Sequence, residues 1–308
     1  MNLSLYKKSG LVTSMLAREL MTSKEGDRCP TIAYCTETFQ VSRGTVQDSF
    51  ATLEKEGCLR TIKHGQGGTI IEMLDKSKLF KFTNLDSLTA TMPVPLNGPL
   101  GGLATAICRC MLDSPLPFTF AFIEGAGKRV NALLRMNYDF VVVSAMTAKT
   151  FLEKHSELEI AMTLSHCLYS HEYVLCINRP DATGLEDGMV LACDPNCADQ
   201  VTLIAKLARD KKIIIKNTPY TACRAALLNY EVDGMVYRHE EWLDNFTSVK
   251  KIPLTDEQYT QRDMNTPVLL VNKNNYGIKK LLQYMLDEDK IHQVQQLVLD
   301  KKMQAQYY

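Results

Sequence analysis

With 308 residues the chain is long enough for two domains, each with a core of its own. Its 35 Lys+Arg balance 35 Asp+Glu, so net charge steers the whole chain toward neither nucleic acid nor a membrane surface, and any nucleic-acid signal must be local. No apolar run approaches the ~20 residues of a membrane span, and the start MNLSLYKKSG lacks the apolar stretch of a secretory signal. The ten cysteines are therefore expected to be reduced, mostly buried thiols of a cytoplasmic protein. Cys108 with Cys110 and Cys193 with Cys197 have neither C-x-x-C spacing nor a histidine pair nearby, so no metal site and no cofactor are expected.

From Gly10 to Met21, residues Leu11, Val12, Met15, Leu16 and Leu20 recur at helical spacing. SKEGDRCP ends that helix, and Thr31 is placed to cap a second, short one ending near Phe39. Gln40 and Val41 make a turn. Ser42 caps a third helix expected to bury Val46, Phe50 and Leu53 and to end before Gly57. CLRTIK and TIIE, separated by HGQGG, read as a β-hairpin with a glycine-rich tip. Three helices and a hairpin make a winged helix-turn-helix, whose third helix enters the DNA major groove. The start of that helix turns Ser42, Arg43, Thr45 and Gln47 away from the apolar stripe. Arginine forks onto guanine, glutamine onto adenine, and hydroxyls suit phosphates or base edges. Lys63, His64 and Gly65 stand at the hairpin tip, where glycines allow close backbone approach.

Over roughly residues 10 to 73 the sequence resembles the GntR family of bacterial repressors. The resemblance rests on GDRCP before the second helix, VSRGTV into the third, LEKEGCLR at its end and HGQGGTII as the wing. It implies DNA contacts at Ser42, Arg43, Thr45 and Gln47, with Lys63, His64 and Gly65 at the wing. Ala33 stands where that family carries a phosphate-contacting arginine, and Gln47 replaces a second arginine. Weaker binding per monomer and different preferred bases follow.

LDKSKLFKFTNLD, residues 74 to 86, is charged and aperiodic and reads as a linker. Beyond it LTATMPV, PFTFAFIEG and DFVVVSA read as strands alternating with helical stretches, an order that implies parallel pairing. The pattern restarts with EYVLCIN, MVLACDP, KKIIIKNT and VDGMVYRHE, again interleaved with helices. Two such halves indicate two lobes, and the stretch ending in TPVLLVNK would return to the first, followed by helices at 276–286 and 290–302. The order resembles the type 2 periplasmic-binding-protein fold, and its combination with a GntR-like head resembles the YhfZ family of transcription regulators. The expected architecture is thus an α+β winged helix-turn-helix N-terminal domain over residues 1–73, a linker over 74–86, and a two-lobed α/β effector-binding domain over 87–308. Lobe I takes about 87–165 plus the C-terminal helices, and lobe II about 173–250. A UTRA-like sensor or a ligand-free dimerisation domain is the alternative.

In open α/β sheets ligands bind at the carboxyl ends of strands, and a cleft between lobes is the natural pocket. Candidates in lobe I are Asn97, Gly98, Gly101, Gly102, Glu124, Gly125, Ser144 and Ala145; in lobe II they are Asp194, Asn196, Tyr220 and Tyr237. Small residues leave helix N-termini open to a carboxylate or phosphate on a small-molecule effector. Glu124 would instead suit an ammonium group, and Asp194 and Asn196 would equally serve as helix caps. The six histidines are scattered, with His171-Glu172 expected on a strand between the lobes, and no nucleophile elbow or Walker loop occurs; no catalytic residue is assigned. The expected partners are double-stranded operator DNA, a small metabolite and a second copy of the chain, because one winged helix makes few base contacts. No membrane partner is expected, and an enzyme tethered by the head is the remaining alternative.

Overall fold

The computed structural model describes residues 8–96, 98–112, 114, 116–170, 172–238, 245–254 and 261–307. The chain begins with α1 (Lys8–Leu20), α2 (Ile32–Phe39) and α3 (Arg43–Lys55), followed by the antiparallel hairpin β1 (Leu59–Lys63) and β2 (Thr69–Leu74). Val12, Leu16 and Leu20 from α1 and Val46 and Leu53 from α3 are fully or almost fully buried and form the core of this head. Phe50, expected in that core, is only half-buried and turns into a surface groove. Thr31 caps α2 by accepting the Tyr34 N–H, and Gln40 closes it in the left-handed region at φ 53°. A bridge between Arg28 and Ile70 adds a third, short strand contact to the hairpin.

The stretch expected to be a linker is structured. Asp75 caps α4 (Lys76–Phe80) by accepting the Lys78 N–H, and Leu79 and Thr83 are fully buried. The missed signal is short: one capping aspartate and one apolar anchor, too few residues to show a period.

Lobe I holds β3 (Leu88–Met92), α5 (Gly98–Leu112), β4 (Phe118–Phe122), α6 (Ala126–Leu134), β5 (Phe140–Ser144), α7 (Ala145–Leu152) and β6 (Leu158–Thr163). Lobe II holds β7 (Tyr173–Ile177), β8 (Val190–Cys193), α8 (Ala198–Leu207), β9 (Ile214–Asn217), α9 (Tyr220–Leu228), β10 (Gly234–Arg238) and β11 (Lys250–Pro253). The chain then passes through α10 (Gln261–Asn265) into β12 (Pro267–Asn272) and ends with α11 (Ile278–Met285) and α12 (Glu288–Leu299).

The strand order in lobe I is β4-β3-β5-β12-β6, with β3 and β5 parallel and β12 antiparallel to both neighbours. β12 therefore returns to the first sheet, as its sequence position implied. The order in lobe II is β11-β7-β10-β8-β9, with β10, β8 and β9 parallel and β7 antiparallel to both its neighbours, β10 and β11. The central strands are apolar without alternation because helices cover both faces: Phe140 to Val143 are wholly buried, and separate apolar clusters flank β10 through Val236 and Met235.

Two compact units result. One comprises the chain up to Leu88 with Met111–Thr119 and Lys273–Leu286; the other comprises Thr89–Cys110, Phe120–Asn272 and Asp287–Tyr308. The 276–286 helix, placed with lobe I on sequence grounds, thus belongs with the head. Buried polar contacts explain this grouping. Arg18 donates to Thr83 O (2.8 Å), Asn275 Oδ1 (2.7 Å) and Tyr276 O (2.9 Å). Glu19 accepts from Tyr276 (2.7 Å), Tyr34 (3.1 Å) and Lys280. Both side chains are more than nine-tenths buried, and such charges are tolerated only when their valences are filled.

Truncating the anchor of α4, Leu79→Ala, is expected to lower stability by about 2–5 kcal/mol in urea denaturation. A midpoint equal to that of the unmodified chain would show that residues 75–88 are a loose connector after all.

Candidate functional site

The first candidate is the exposed face of the head. Ser42 caps α3: its Oγ accepts the Thr45 N–H at 3.3 Å and lies 2.8 Å from Thr45 Oγ1, so the two hydroxyls satisfy each other. Arg43 and Gln47 are exposed one helical turn apart. Both line a groove of about 850 Å³ whose other walls are Thr31, Ile32 and Ala33 at the start of α2 and Thr61, Lys63 and Thr69 of the hairpin. Glu37 and Glu54 also line it, with Glu54 accepting from Thr61 at 2.9 Å. Arg43, Gln47 and Lys63 thus share one concave surface, while His64 and Gly65 are exposed at the hairpin tip. There the His64 N–H donates to Gly68 O (2.8 Å), and Gly65 and Gly68 take φ values of 46° and 85°, which a side chain would strain.

The second candidate lies between the lobes. The carboxyl ends of β3, β4 and β10 and the starts of α6, α7, α8 and α9 meet at a cavity of about 20 Å³, room for roughly one water molecule. Two arginines line it. Arg129 of α6, 2 % exposed, donates to Ile123 O (2.8 Å) and Tyr169 Oη (3.0 Å). Arg238 at the end of β10, 4 % exposed, lies 3.5 Å from Glu124 Oε2, and its guanidinium carbon sits 5.8 Å and 5.7 Å from the ring centres of Tyr169 and Tyr220. Glu124 Oε1 accepts the Val94 N–H at 2.9 Å.

Asp199, in the first turn of α8, bridges the lobes. Its carboxylate accepts from Ser144 Oγ of lobe I (2.9 and 3.1 Å) and from Tyr173 Oη of lobe II (2.7 Å). Burial raises the Asp199 carboxyl above the usual carboxylate range, and the hydrogen bonds from Tyr173 and Ser144 offset this only in part. Burial also lifts the Tyr173 and Tyr220 hydroxyls well above the ordinary phenol value, so both stay protonated donors. Cys197, at the N-cap of α8, is pushed up the same way, which keeps it a thiol. All ten cysteines are free thiols, nine of them buried.

Of the twelve ligand positions expected from sequence, Glu124, Gly125 and Tyr220 line this cavity, and Ser144 reaches it through Asp199. Tyr237 stacks on Tyr220 at 4.9 Å. The rest serve other ends. Gly98, Gly101 and Gly102 let α5 approach the C-terminal segment, where an added Cβ would meet Leu299, Ala305 and Gln295 at 3.1, 3.5 and 3.0 Å. Asp194 accepts the Asn196 and Tyr220 N–H groups, both at 2.9 Å, and so ties the start of α9 to the loop before α8, whose N-cap is Cys197 and neither Asp194 nor Asn196. Asn196 packs where a Cβ on Gly127 would fall, and the Ala145 N–H donates to Thr266 O. Asn97 and His171 lie outside the described residues. Sequence reading missed Arg129, Arg238, Asp199, Tyr169 and Tyr173. Arg129 and Asp199 lie inside the first turns of helices, one residue or more past the strand ends, and only the fold shows that those turns face each other.

A helix-turn-helix head followed by a two-sheet, two-lobed α/β domain of the substrate-binding-protein kind defines the class of this chain. The chain belongs to the YhfZ family: the YhfZ C-terminal domain matches residues 75–307, and a helix-turn-helix domain matches residues 24–71. YhfZ of Escherichia coli strain K12 is 26% identical over 100% of both chains. The crystal structure of YhfZ from Shigella flexneri superposes with a TM-score of 0.59 at 23% identity, covering 75% of this chain and 97% of that one. The periplasmic aliphatic sulphonate binding protein SsuA from Escherichia coli gives a TM-score of 0.52 at 12% identity, covering 72% of each chain, which shows shared fold alone. The two-lobed fold takes the place of the UTRA-like alternative. Among the described residues no helix is long and apolar enough to cross a membrane.

Because the folded-state pKa of Asp199 is raised, ionising it costs stability. The cost is absent below the ordinary carboxylate pKa of about 4 and grows as pH rises to the raised value. Asp199→Asn is therefore expected to gain melting temperature relative to the unmodified chain as pH increases through that window. A difference independent of pH would show that Asp199 is not perturbed.

Proposed function

We propose that this chain is a sequence-specific DNA-binding transcription regulator whose two-lobed domain senses a small metabolite. One observation carries the DNA half: Arg43 and Gln47 at the start of α3 and Lys63 of the hairpin stand exposed along one groove. A helix N-terminus with fork-bearing side chains reads base edges, and a cation on the wing follows the phosphates. Ser42 and Thr45, tied to each other, hold the helix start in place, and His64 and Gly65 form the wing tip. One head makes too few base contacts for strong discrimination, so a homodimer on a near-palindromic operator is part of the reading. The protein acts in the cytoplasm, where its DNA is.

The cleft supports the sensing half, since its charged and aromatic side chains converge from both lobes. For the ligand to act as a switch it must prefer one lobe arrangement by a few kcal/mol. A second reading, a two-lobed domain that binds no ligand and serves dimerisation, is favoured by one observation: contacts within the protein already hold the cleft to about 20 Å³.

Operator DNA selected from a random pool by the full chain provides the test. In fluorescence anisotropy at fixed salt, Arg43→Ala is expected to cost roughly 1–3 kcal/mol on the selected site. Lys63→Ala is expected to weaken all sequences alike and to reduce the salt slope by about 1. Failure to select any sequence, or unchanged affinity in Arg43→Ala, would overturn the DNA reading.

A further inference from the structure

The lobe cleft holds two arginines and two carboxylates, and charge alone does not say what it binds. The hydrogen-bond valences do. The carboxylates are turned onto protein donors: Asp199 onto Ser144 and Tyr173, and Glu124 Oε1 onto the Val94 N–H. Donors are what remains. Arg129 Nε, in a residue 2 % exposed, and Tyr220 Oη, in one 7 % exposed, are buried without a hydrogen-bond partner among the described residues, and both residues line the cavity. Arg129 Nε donates only, and a phenol in this setting donates. Leaving such groups unmet is costly, and few native proteins do so without cause.

Two helix starts add to this. Among the described residues α6 and α8 have no side-chain hydrogen bond from their N-cap residues, Gly125 and Cys197, both of which line the same cavity. Helix starts present N–H groups and a partial positive charge to whatever lies in front of them. By contrast α7, which also begins here, is capped by Ser144, whose hydroxyl accepts the Thr147 N–H and donates to the Asp199 carboxylate.

We infer that the cleft is a receptor for one small oxyanion, the carboxylate or phosphate group of a metabolite, held by Arg129 Nε, Tyr220 Oη and the uncapped starts of α6 and α8. The present cavity takes only the size of a water molecule, so the bulk of a larger ligand enters by parting the lobes at the Ser144–Asp199 and Glu124–Arg238 contacts. Asp199 and Glu124 exclude a second anion and limit the site to one. This deepens the sensing half of the proposed function and makes no use of the head.

Thermal-shift and calorimetric titrations of the full chain with sodium acetate and with sodium phosphate test it, ionic strength being held with chloride. Saturable stabilisation beyond the chloride control is expected. Acetate alone would assign a carboxylate ligand, and phosphate alone a phosphate ligand. Tyr220→Phe discriminates best, because it removes a hydroxyl that supports nothing else: its anion-free melting temperature should be unchanged or higher, while anion affinity falls roughly tenfold. Arg129→Gln should abolish the response, and Asp199→Asn, one negative charge fewer, should strengthen it. No stabilisation of the unmodified chain by either anion, or equal affinity in Tyr220→Phe, would overturn the proposal. Neither result depends on DNA, so failure here leaves the reading of the head standing, and loss of DNA binding leaves the anion site standing.

Discussion

A charged side chain withdrawn from water must find partners, and in the two-lobed domain Asp199 and Arg238 each find one on the opposite lobe. Arg129, Arg238 and Asp199 are each more than nine-tenths buried around one small cavity. Asp199 leaves α8 of lobe II to meet Ser144 of lobe I, and Glu124 of lobe I faces Arg238 of lobe II. Desolvation therefore makes the closed cleft a condition of stability for these groups. The same desolvation keeps the neighbouring tyrosines protonated, so that among the described residues Arg129 Nε and Tyr220 Oη are left as buried donors. Closure and the raised carboxyl are two consequences of one arrangement.

The head obeys a comparable constraint. Arg18 and Glu19 sit side by side on α1, and both are buried by residues near the C-terminal end of the chain, Asn275, Tyr276 and Lys280. Phe39 of α2 packs edge-on against Tyr276 at 5.2 Å. The last turn of α1 and the start of α11 thus form one polar core, which ties the helix-turn-helix to a segment lying directly between β12 and α12 of the other unit. Three stretches of the chain make up the unit that holds the head, so the chain passes between the two units at five places, where a single flexible leash was expected. Any change around β12 or α12 has a covalent route to the helices that carry Arg43 and Gln47.

How much of this could be read from sequence follows the range of the interactions. The head was legible almost residue by residue because its signals are local: Thr31 and Ser42 as caps, Val46 and Leu53 at helical spacing, glycines at positive φ in the wing. Phe50 misled because an apolar residue in register with the stripe can also line a groove. Most strands of both lobes were legible as apolar runs, and so was the return of β12, but β6 and β11, short and partly polar, were not. The cleft was legible only in outline. Strand ends point to Glu124, Gly125 and Tyr220, but the same rule also selects the glycines of α5, which serve packing against Leu299, Ala305 and Gln295. Arg129, Asp199 and Arg238 carry no local mark, since a charged residue in a helix or at a strand end usually faces water. Their burial exists only once two halves of the chain, more than fifty residues apart, have met.

The claim on which the rest stands is that the lobes are joined through Ser144 and Asp199. A double-mutant cycle measures that contact directly: Ser144→Ala, Asp199→Asn and the pair, each unfolded in urea at neutral pH. The account predicts a coupling energy of about 1–3 kcal/mol, as expected for buried partners in one hydrogen-bond network. Effects that add to within about 0.3–0.5 kcal/mol would mean that the two side chains do not touch in solution and that the cleft stands open.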